Sequence, residues 1–410
     1  MSEGYVYLVG AGPGDIRLMT MKGMQSLKIA DVVLYDRLVN PLLLEFTKPD
    51  CELVYCGKLP DRHTLRQEAI QDLLVSYAEQ GKVVVRLKGG DPSVFGRVGE
   101  EAAELENAGI RYEIVPGITA GIGASTYAGV PVTHREFGAS FAIVTGHDQS
   151  PNGQPLIDWQ ALATGIDTIA FYMGVKNLPH ICEQLTKNGR NPNTPVMLVQ
   201  WGTIGKQRVL KGTLESIVDK VAKEKLTNPA ITLVGDVTKL RTGKSWFEAQ
   251  PLFSKQILFA RSSSEHSEIA SKLRDLGADV FEYPRLQTTF LENDLPISYE
   301  KYKQIIFQSP SSVDWFFENL ARRKIDIRLI KATFYAGSVK SQKRIQSYAC
   351  QAFLVDQLKK NSSRLVIGPE SAVTDTRKQR FGDHDYLNSH SVNIVSSSNM
   401  TCRRLLEEGR

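Results

Sequence analysis

Strand-like and helix-like segments alternate along residues 1–235 of this 410-residue chain. The predicted strands are short, rich in β-branched residues and almost continuously apolar, as strands buried on both faces of a sheet are. They are expected at 5–9, 32–35, 52–55, 82–87, 111–115, 140–145, 168–172, 195–200 and 230–234. Because helical stretches separate most of them, the pattern predicts an α/β fold with a largely parallel sheet.

A second alternation of strands and helices begins after residue 255, and a stretch of mixed composition lies before it. At roughly 100–200 residues per domain, a chain of this length has room for two or three domains. We therefore predict a first α/β domain over 1–245, a linker over 246–255 and a smaller α/β domain over 256–410.

The composition excludes several classes of protein. No window approaches the ~20 apolar residues that a membrane-spanning helix needs, and the N-terminus lacks the features of a secretory signal. The net charge of +5 arises from 50 basic and 45 acidic residues, a mixture too balanced for a nucleic-acid-binding surface. The five cysteines are scattered, which argues against a zinc site or a disulfide framework. We expect a cytoplasmic protein without a membrane or nucleic-acid partner.

Three glycine-containing turns follow predicted strands. They read Gly-Ala-Gly-Pro-Gly-Asp at 10–15, Lys-Gly-Gly-Asp-Pro at 88–92 and Pro-Gly-Ile-Thr-Ala at 116–120. The first is not a dinucleotide-binding fingerprint, because Asp15 stands where a glycine is required and Pro13 removes a backbone donor. Ligands of open α/β sheets bind at the carboxyl ends of strands. The turns are therefore predicted to share one small-molecule crevice, the alternative being three unrelated tight turns.

Five motifs that occur in order resemble the tetrapyrrole methylase family, and its uroporphyrinogen-III C-methyltransferases in particular. They are VGAGPGD at 9–15, LYDRLV at 34–39, RLKGGDPSVFGR at 86–97, VPGITA at 115–120 and GVPVTHR at 129–135. The resemblance implies two α/β lobes with S-adenosylmethionine, the methyl donor, in the cleft between them. It also implies that two methyl groups are transferred to uroporphyrinogen III, which gives precorrin-2, a precursor of sirohaem or cobalamin. The resemblance further implies that no metal takes part and that the protein is a homodimer.

The same resemblance implies which residues contact S-adenosylmethionine. In the first lobe they are Pro13, Gly89, Gly90, Asp91, Val94, Thr119 and Ala120, and in the second lobe Met173, Gly202 and Ala230. One position departs from the family pattern. Val98 stands where the FGR-containing motif usually has a second glycine, and a valine restricts this position to negative φ.

Methyl transfer to carbon requires the two reacting atoms to be held in line, and a proton must then leave the macrocycle. By resemblance, Asp36 is the candidate proton acceptor and Lys58 the candidate proton donor. The alternatives are that Asp36 caps the next turn and that Lys58 is a solvated lysine. Uroporphyrinogen III is a polycarboxylate, and arginine binds carboxylates bidentately. The resemblance implies that Arg97 and Glu100 lie at the substrate, with Arg135 as a further candidate at its rim.

The region 256–410 resembles uroporphyrinogen-III synthase more weakly, in ILFARSSSEHSEIASKLRDLGADVFEYP at 257–284 and IIFQSPSSVDWFF at 305–317. The synthase fold has two α/β lobes that close over a linear tetrapyrrole. Two lobes of roughly 100 residues each exceed this region, so the domain is predicted to be shortened. Ser309 and Ser312 are interpreted as helix-capping residues rather than substrate contacts. Two interpretations stay open: a second enzyme activity, or a non-catalytic module that binds or channels tetrapyrrole.

Overall fold

The computed structural model describes residues 3–57, 67–147, 153–261, 267–292, 298–359, 362–370 and 380–407. The chain divides into two compact units, each with its own sheets and buried core. Unit 1 comprises Met1–Ala260, His266–Tyr283 and Ser396–Arg410, and unit 2 comprises Arg261–Glu265 and Pro284–Val395. No helix within the described ranges is long and apolar enough to cross a membrane.

A five-stranded, fully parallel sheet forms the first lobe of unit 1, in the order β3-β2-β4-β1-β5. Val32 and Leu34 of β2 belong to one buried cluster. Val33 and Tyr35 belong to a second cluster, so the sheet is covered on both faces, as its continuous apolarity predicts. The elements are β1 (Tyr5–Gly10), α1 (Met21–Ile29), β2 (Val32–Tyr35), β3 (Glu52–Tyr55), α2 (Gln67–Glu79), β4 (Val83–Lys88), α3 (Val98–Asn107) and β5 (Arg111–Val115).

The second lobe of unit 1 is a mixed five-stranded sheet in the order β6-β7-β10-β8-β9. Its elements are α4 (Ala120–Tyr127), β6 (Phe141–Thr145), α5 (Trp159–Gly165), β7 (Thr168–Tyr172), α6 (Leu178–Lys187), β8 (Pro195–Gln200), β9 (Arg208–Thr213), α7 (Ile217–Lys223) and β10 (Ala230–Val234). The β6–β7 pair is parallel, whereas β10 runs antiparallel to β7 and β8, and β8 to β9.

The prediction of a largely parallel sheet is right for the first lobe and wrong for the second. Burial on both faces makes a strand continuously apolar whichever direction it runs, so the pattern carries no information on direction. The strand β9 was not predicted, because Val209 and Leu210 are its only apolar residues apart from a glycine, and the charged Arg208 and Lys211 on either side of them are exposed. A short loop joins β8 to β9, as antiparallel neighbours allow.

The first residues of the segment predicted as a linker, 246–255, pack against α4 in unit 1. Phe247 is buried, and the rings of Trp246 and Phe247 each lie 4.8 Å from the ring of Tyr127 on α4. Arg241, which precedes this stretch, forms a 2.6 Å ion pair with Glu248, which lies within it, and both side chains are largely buried. The segment is therefore not a solvated spacer, because its aromatic side chains complete the packing around α4.

Unit 1 also contains a parallel strand pair from the region after 255, formed by β11 (Gln256–Ala260) and β12 (Asp279–Tyr283). The backbone amide of Gly205 in the second lobe donates to Asp279 Oδ2 at 2.9 Å. The helix α8 (Glu268–Asp275) lies between these strands in sequence. The compact unit therefore extends beyond the predicted boundary at 256, because these elements contact the methylase-like half.

Unit 2 is built on a six-stranded sheet in the order β13-β18-β17-β14-β15-β16, parallel except for β13. Ser309 caps the helix after β14, since its Oγ accepts from Ser312 N at 3.1 Å, as predicted. The elements are β13 (Leu286–Phe290), β14 (Gln304–Phe307), α9 (Pro310–Arg322), β15 (Thr333–Ala336), α10 (Val339–Ser347), β16 (Ala352–Leu354), β17 (Arg364–Pro369) and β18 (Asp385–Ile394).

Candidate active site

The three glycine turns meet in the first lobe at the carboxyl ends of β1, β4 and β5. Gly12 N donates to Gly90 O at 3.1 Å, and Gly90 N donates to Gly12 O at 2.8 Å. A Cβ on Gly117 would lie 2.4 Å from Gly90 O and 2.9 Å from Gly10 Cα, which leaves room for glycine only. Asp91 Oδ2 accepts from Gly117 N at 2.9 Å and fastens the second turn to the third. The turns therefore form one continuous backbone surface.

A cleft of about 460 Å³ opens between the two lobes of unit 1 above these turns. This volume lies in the range of small-molecule sites. All ten residues that the resemblance implied for the methyl donor line the cleft: Pro13, Gly89, Gly90, Asp91, Val94, Thr119, Ala120, Met173, Gly202 and Ala230. They come from both lobes and from segments far apart in the sequence, which only the fold brings together.

Tyr172 closes the second-lobe side of the cleft and was not predicted. Its hydroxyl accepts from Gly121 N at 2.5 Å and forms a 2.6 Å hydrogen bond with Thr119 Oγ1. Burial raises the pKa of Tyr172, so the hydroxyl stays protonated in the neutral pH range. The Phe95 ring lies 5.3 Å from the Tyr172 ring and also lines the cleft. The only sequence signal for Tyr172 was its position next to Met173.

Asp15 of the first turn is not among the described residues that line the cleft, but it connects this turn to neighbouring elements. Its carboxylate accepts from the Tyr127 hydroxyl at 3.0 Å and from Arg17 Nη2 at 2.9 Å. Its backbone amide donates to Thr203 Oγ1 at 3.0 Å in the second lobe. The aspartate that breaks the dinucleotide fingerprint therefore ties the first turn to α4 and to the opposite lobe.

Asp36 begins a chain of charged groups that is buried behind the cleft. Its Oδ1 accepts from Arg86 Nη2 at 2.6 Å. Arg86 Nε and Lys88 Nζ both donate to Glu101 Oε1, at 3.2 and 2.7 Å. Burial, and then the charge of Arg86, lower the pKa of Lys88. Two acids and two bases compensate one another, as buried charges must.

The position of Asp36 relative to the cleft follows from its ion pair and from its neighbours in the sequence. The half-buried carboxylate is directed to a guanidinium on β4, and its neighbours Arg37 and Leu38 line the cleft. Asp36 itself is not among the described lining residues, so it lies at the edge of the cleft. Lys58, the predicted proton donor, lies outside the described residues.

Arg97 and Glu100 form an exposed, two-pronged ion pair at the start of α3, with distances of 2.8 and 2.5 Å. This hydrogen bond lowers the pKa of Glu100 and raises that of Arg97. Arg97 has a φ of 56°, whereas Val98 is the first residue of the helix and is buried. The departure at Val98 is therefore compatible with the loop, because the left-handed residue precedes it. Arg135 is exposed, and the described lining of the cleft does not include it.

Comparison with known proteins agrees with this geometry. The family model described as Tetrapyrrole (Corrin/Porphyrin) Methylases matches residues 5–218, and that of Uroporphyrinogen-III synthase HemD matches 267–373. A uroporphyrinogen-III C-methyltransferase of Bacillus subtilis strain 168 is 49% identical over 385 residues, 92% of this chain and 78% of the relative. One of Priestia megaterium is 57% identical over 234 residues, 57% of this chain and 98% of the relative.

Solved structures point the same way. A uroporphyrin-III C-methyltransferase of Thermus thermophilus, solved in complex with S-adenyl homocysteine, is 39% identical and superposes with a TM-score of 0.50. The match covers 58% of this chain and 100% of that chain. The similarity therefore includes the whole of that two-lobed protein. In the present chain it covers slightly more than half of the residues.

Proposed function

Because this chain belongs to the tetrapyrrole methylase family, we propose that it is an S-adenosylmethionine-dependent uroporphyrinogen-III C-methyltransferase. It transfers two methyl groups to uroporphyrinogen III and yields precorrin-2. The observation that carries the proposal is the convergence on one cleft of the ten residues that the resemblance implied for the methyl donor, which come from both lobes. We assign methyl transfer to residues 1–245 and a synthase-like domain to 256–410.

The residues of the cleft suit the methyl donor. The joined glycine turns offer bare backbone, and a Cβ on Gly117 or Gly10 would strike that backbone. Thr119 and Asp91 supply polar groups among apolar walls, which is the usual make-up of a cofactor site. S-adenosylmethionine supplies a methyl group activated by its sulfonium. The chain's own part is to hold that methyl in line with the attacking carbon and to exclude water.

Asp36 is the proposed acceptor of the proton that leaves the macrocycle after each transfer. Arg86 donates to one carboxylate oxygen at 2.6 Å and thereby orients the group, and the buried Glu101 holds Arg86 in place. Lys58 is the proposed proton donor on the strength of the family resemblance. These two groups would serve the proton steps that follow carbon methylation.

Arg97 and Arg135 are the proposed contacts for the carboxylates of uroporphyrinogen III, and Glu100 is placed at the substrate as the ion-pair partner of Arg97. The Arg97–Glu100 pair is exposed on both sides, so water and salt weaken it and a substrate carboxylate can take the place of Glu100. Arg135 lies in the exposed turn between α4 and β6, where a large substrate reaches it without entering the donor cleft.

Methyl transfer is tested with the purified full-length chain, uroporphyrinogen III under reducing conditions and a methyl-labelled donor. We expect two labels per macrocycle, read by the mass of the product. A chain that binds S-adenosylhomocysteine and transfers no label to uroporphyrinogen III would contradict the assignment. Label transfer to a different, already methylated precursor would move the protein to another branch of the family.

A uroporphyrinogen-III synthase activity is the second candidate function, favoured by the HemD match at 267–373. Unit 2 supplies one complete sheet, with Ser309 and Ser338 capping helices at the carboxyl ends of β14 and β15. Incubation of the full chain with hydroxymethylbilane separates the interpretations. Formation of the type III ring supports a second enzyme. The type I ring alone would show that the domain is not a working synthase. Tight binding of uroporphyrinogen III without turnover would then support the alternative, a non-catalytic module that binds or channels tetrapyrrole.

A homodimer and a cytoplasmic location are further proposals, supported by the family resemblance and by the composition respectively. The chain mass is 45.6 kDa. Light scattering coupled to size exclusion should therefore report twice this mass. A mass equal to that of one chain at all accessible concentrations would overturn the dimer.

A further inference from the structure

The C-terminal helix α11 (Ser396–Glu407) contacts the methylase-like half of unit 1 directly beside the cleft. Arg404 Nη2 donates to the backbone carbonyl of Arg37 at 2.5 Å and to that of Val39 at 3.2 Å. One guanidinium therefore binds the two carbonyls on either side of Leu38. Such charge-assisted bonds are stronger than those between neutral groups.

Two aromatic rings fix the direction of the same guanidinium. It lies 5.4 Å from the centre of the Tyr35 ring and 5.2 Å from that of the Tyr55 ring. Tyr35 is buried at the end of β2, so the cation packs on a rigid surface. Leu405, the next residue on α11, is also buried and anchors the helix. At the other end of α11, the Tyr283 hydroxyl donates to Asn399 Oδ1 at 2.7 Å.

The backbone held by Arg404 forms part of the proposed active site. Leu38 lines the donor cleft, and it packs so closely on Gly89 that a Cβ there would lie 3.3 Å from Leu38 Cβ. Asp36, the proposed proton acceptor, precedes this stretch, and its carbonyl accepts from Val39 N at 3.3 Å in a tight turn. A shift of this turn therefore moves one wall of the donor cleft.

We propose that Arg404 is a positioning residue for methyl transfer, through which the C-terminal helix holds the turn at 36–39 against the donor cleft. The inference rests on the proposed function for the identity of the donor. It assigns the C-terminal segment a part in the first domain's chemistry in addition to any activity of its own. None of the five sequence motifs includes this arginine, because it lies more than 360 residues after the turn it binds.

The test measures binding of S-adenosylhomocysteine by calorimetry to the full chain and to three variants. Arg404→Ala should raise Kd roughly tenfold, the scale of losing a hydrogen bond to a charged group. Arg403→Ala is the matched control. Arg403 is 84% exposed and pairs with Glu407 at the surface, so its Kd should stay within about twofold of wild type. Arg404→Lys should restore part of the affinity, because an ammonium donates without the planar fork or the stacking.

A purely structural role is excluded by comparing Kd with the melting temperature. If Arg404→Ala lowers the melting temperature and leaves Kd unchanged, the positioning role is overturned. The role is also overturned if Arg403→Ala raises the Kd for S-adenosylhomocysteine as much as Arg404→Ala does. It is overturned too if the wild-type chain does not bind S-adenosylhomocysteine. A wild-type chain that binds this probe and methylates nothing would contradict the proposed function alone, since the Kd comparison does not need turnover.

Discussion

Single residues determine the shape of the cleft where the backbones of the glycine turns touch. Gly117 lies against Gly10 and Gly90 with no space for a side chain, and Gly90 has a φ of 71°. The motifs identified these residues, because glycine is required wherever two backbones approach so closely. They did not reveal Tyr172 or Arg404, which reach the site from β7 and α11 through tertiary packing.

Gly117→Ala tests this close approach. The added Cβ would lie 2.4 Å from Gly90 O, so the second and third turns must separate. We expect a loss of about 1–3 kcal/mol in the free energy of unfolding, the cost of overpacking, and a weaker affinity for S-adenosylhomocysteine. Denaturant unfolding and calorimetry measure the two effects.

The matched control is Gly99→Ala in α3, where an added Cβ meets nothing within 4 Å. Because Gly99 is not among the residues with a positive φ, this change should stabilise the fold by about 0.4–1 kcal/mol and leave binding unaltered. If Gly117→Ala behaves like Gly99→Ala, the turns do not depend on the close approach described here.

Asp36→Asn separates proton transfer from donor binding. The amide keeps the size of the side chain and can still accept from Arg86, but it is a poor base. We expect kcat to fall by roughly 10²–10⁴, the usual contribution of a general base, with the Kd for S-adenosylhomocysteine unchanged. Steady-state transfer of labelled methyl to uroporphyrinogen III measures kcat. Wild-type kcat in this variant would remove Asp36 from the mechanism.

At the scale of elements, periodicity predicted strands buried on both faces with high accuracy. The bounds of β7, β8 and β10 agree with the predicted 168–172, 195–200 and 230–234. The strands β9, β13 and β16 were missed, because each lies at the edge of its sheet and carries at least one exposed side chain. Strand direction could not be predicted from the sequence either, because it depends on the pairing of segments that are far apart in the chain.

Asp167 connects two elements of the second lobe and gives a pH-dependent prediction. Its Oδ2 accepts from Ser140 Oγ at 2.8 Å and from the backbone amides of Ser140 and Ala139. These bonds, that of the Ser140 hydroxyl first, lower the pKa of Asp167 below 3.8. The carboxylate therefore stabilises the fold fully above the unfolded pKa. That stability is lost as the pH falls through the lower folded pKa.

Asp167→Ala should consequently lower the melting temperature by a few degrees at pH 7. The difference from wild type should shrink once the pH falls below about 4, the ordinary range of aspartate. Thermal unfolding at several pH values measures this. A difference that stays constant down to the lowest pH at which the protein remains folded would show that the charge of Asp167 is not involved.

At the scale of the whole molecule, several elements of the synthase-like region belong to the same compact unit as the two methyltransferase lobes. The fold class and the family followed from the sequence, because strand patterns and ordered motifs carry that information. The division into compact units did not follow, since β11, β12 and α11 belong to unit 1 by contacts that composition does not record. The C-terminal helix accordingly touches the turn beside the donor cleft.

A crystal structure of the full chain with S-adenosylhomocysteine tests the central claim most directly. We expect the ligand to lie in the cleft between the lobes of unit 1, in contact with Gly90, Thr119 and Met173. Its sulfur should face the opening of the cleft toward Asp36. Ligand density elsewhere, or a cleft left empty at saturating ligand, would contradict the assignment of these residues to the methyl donor.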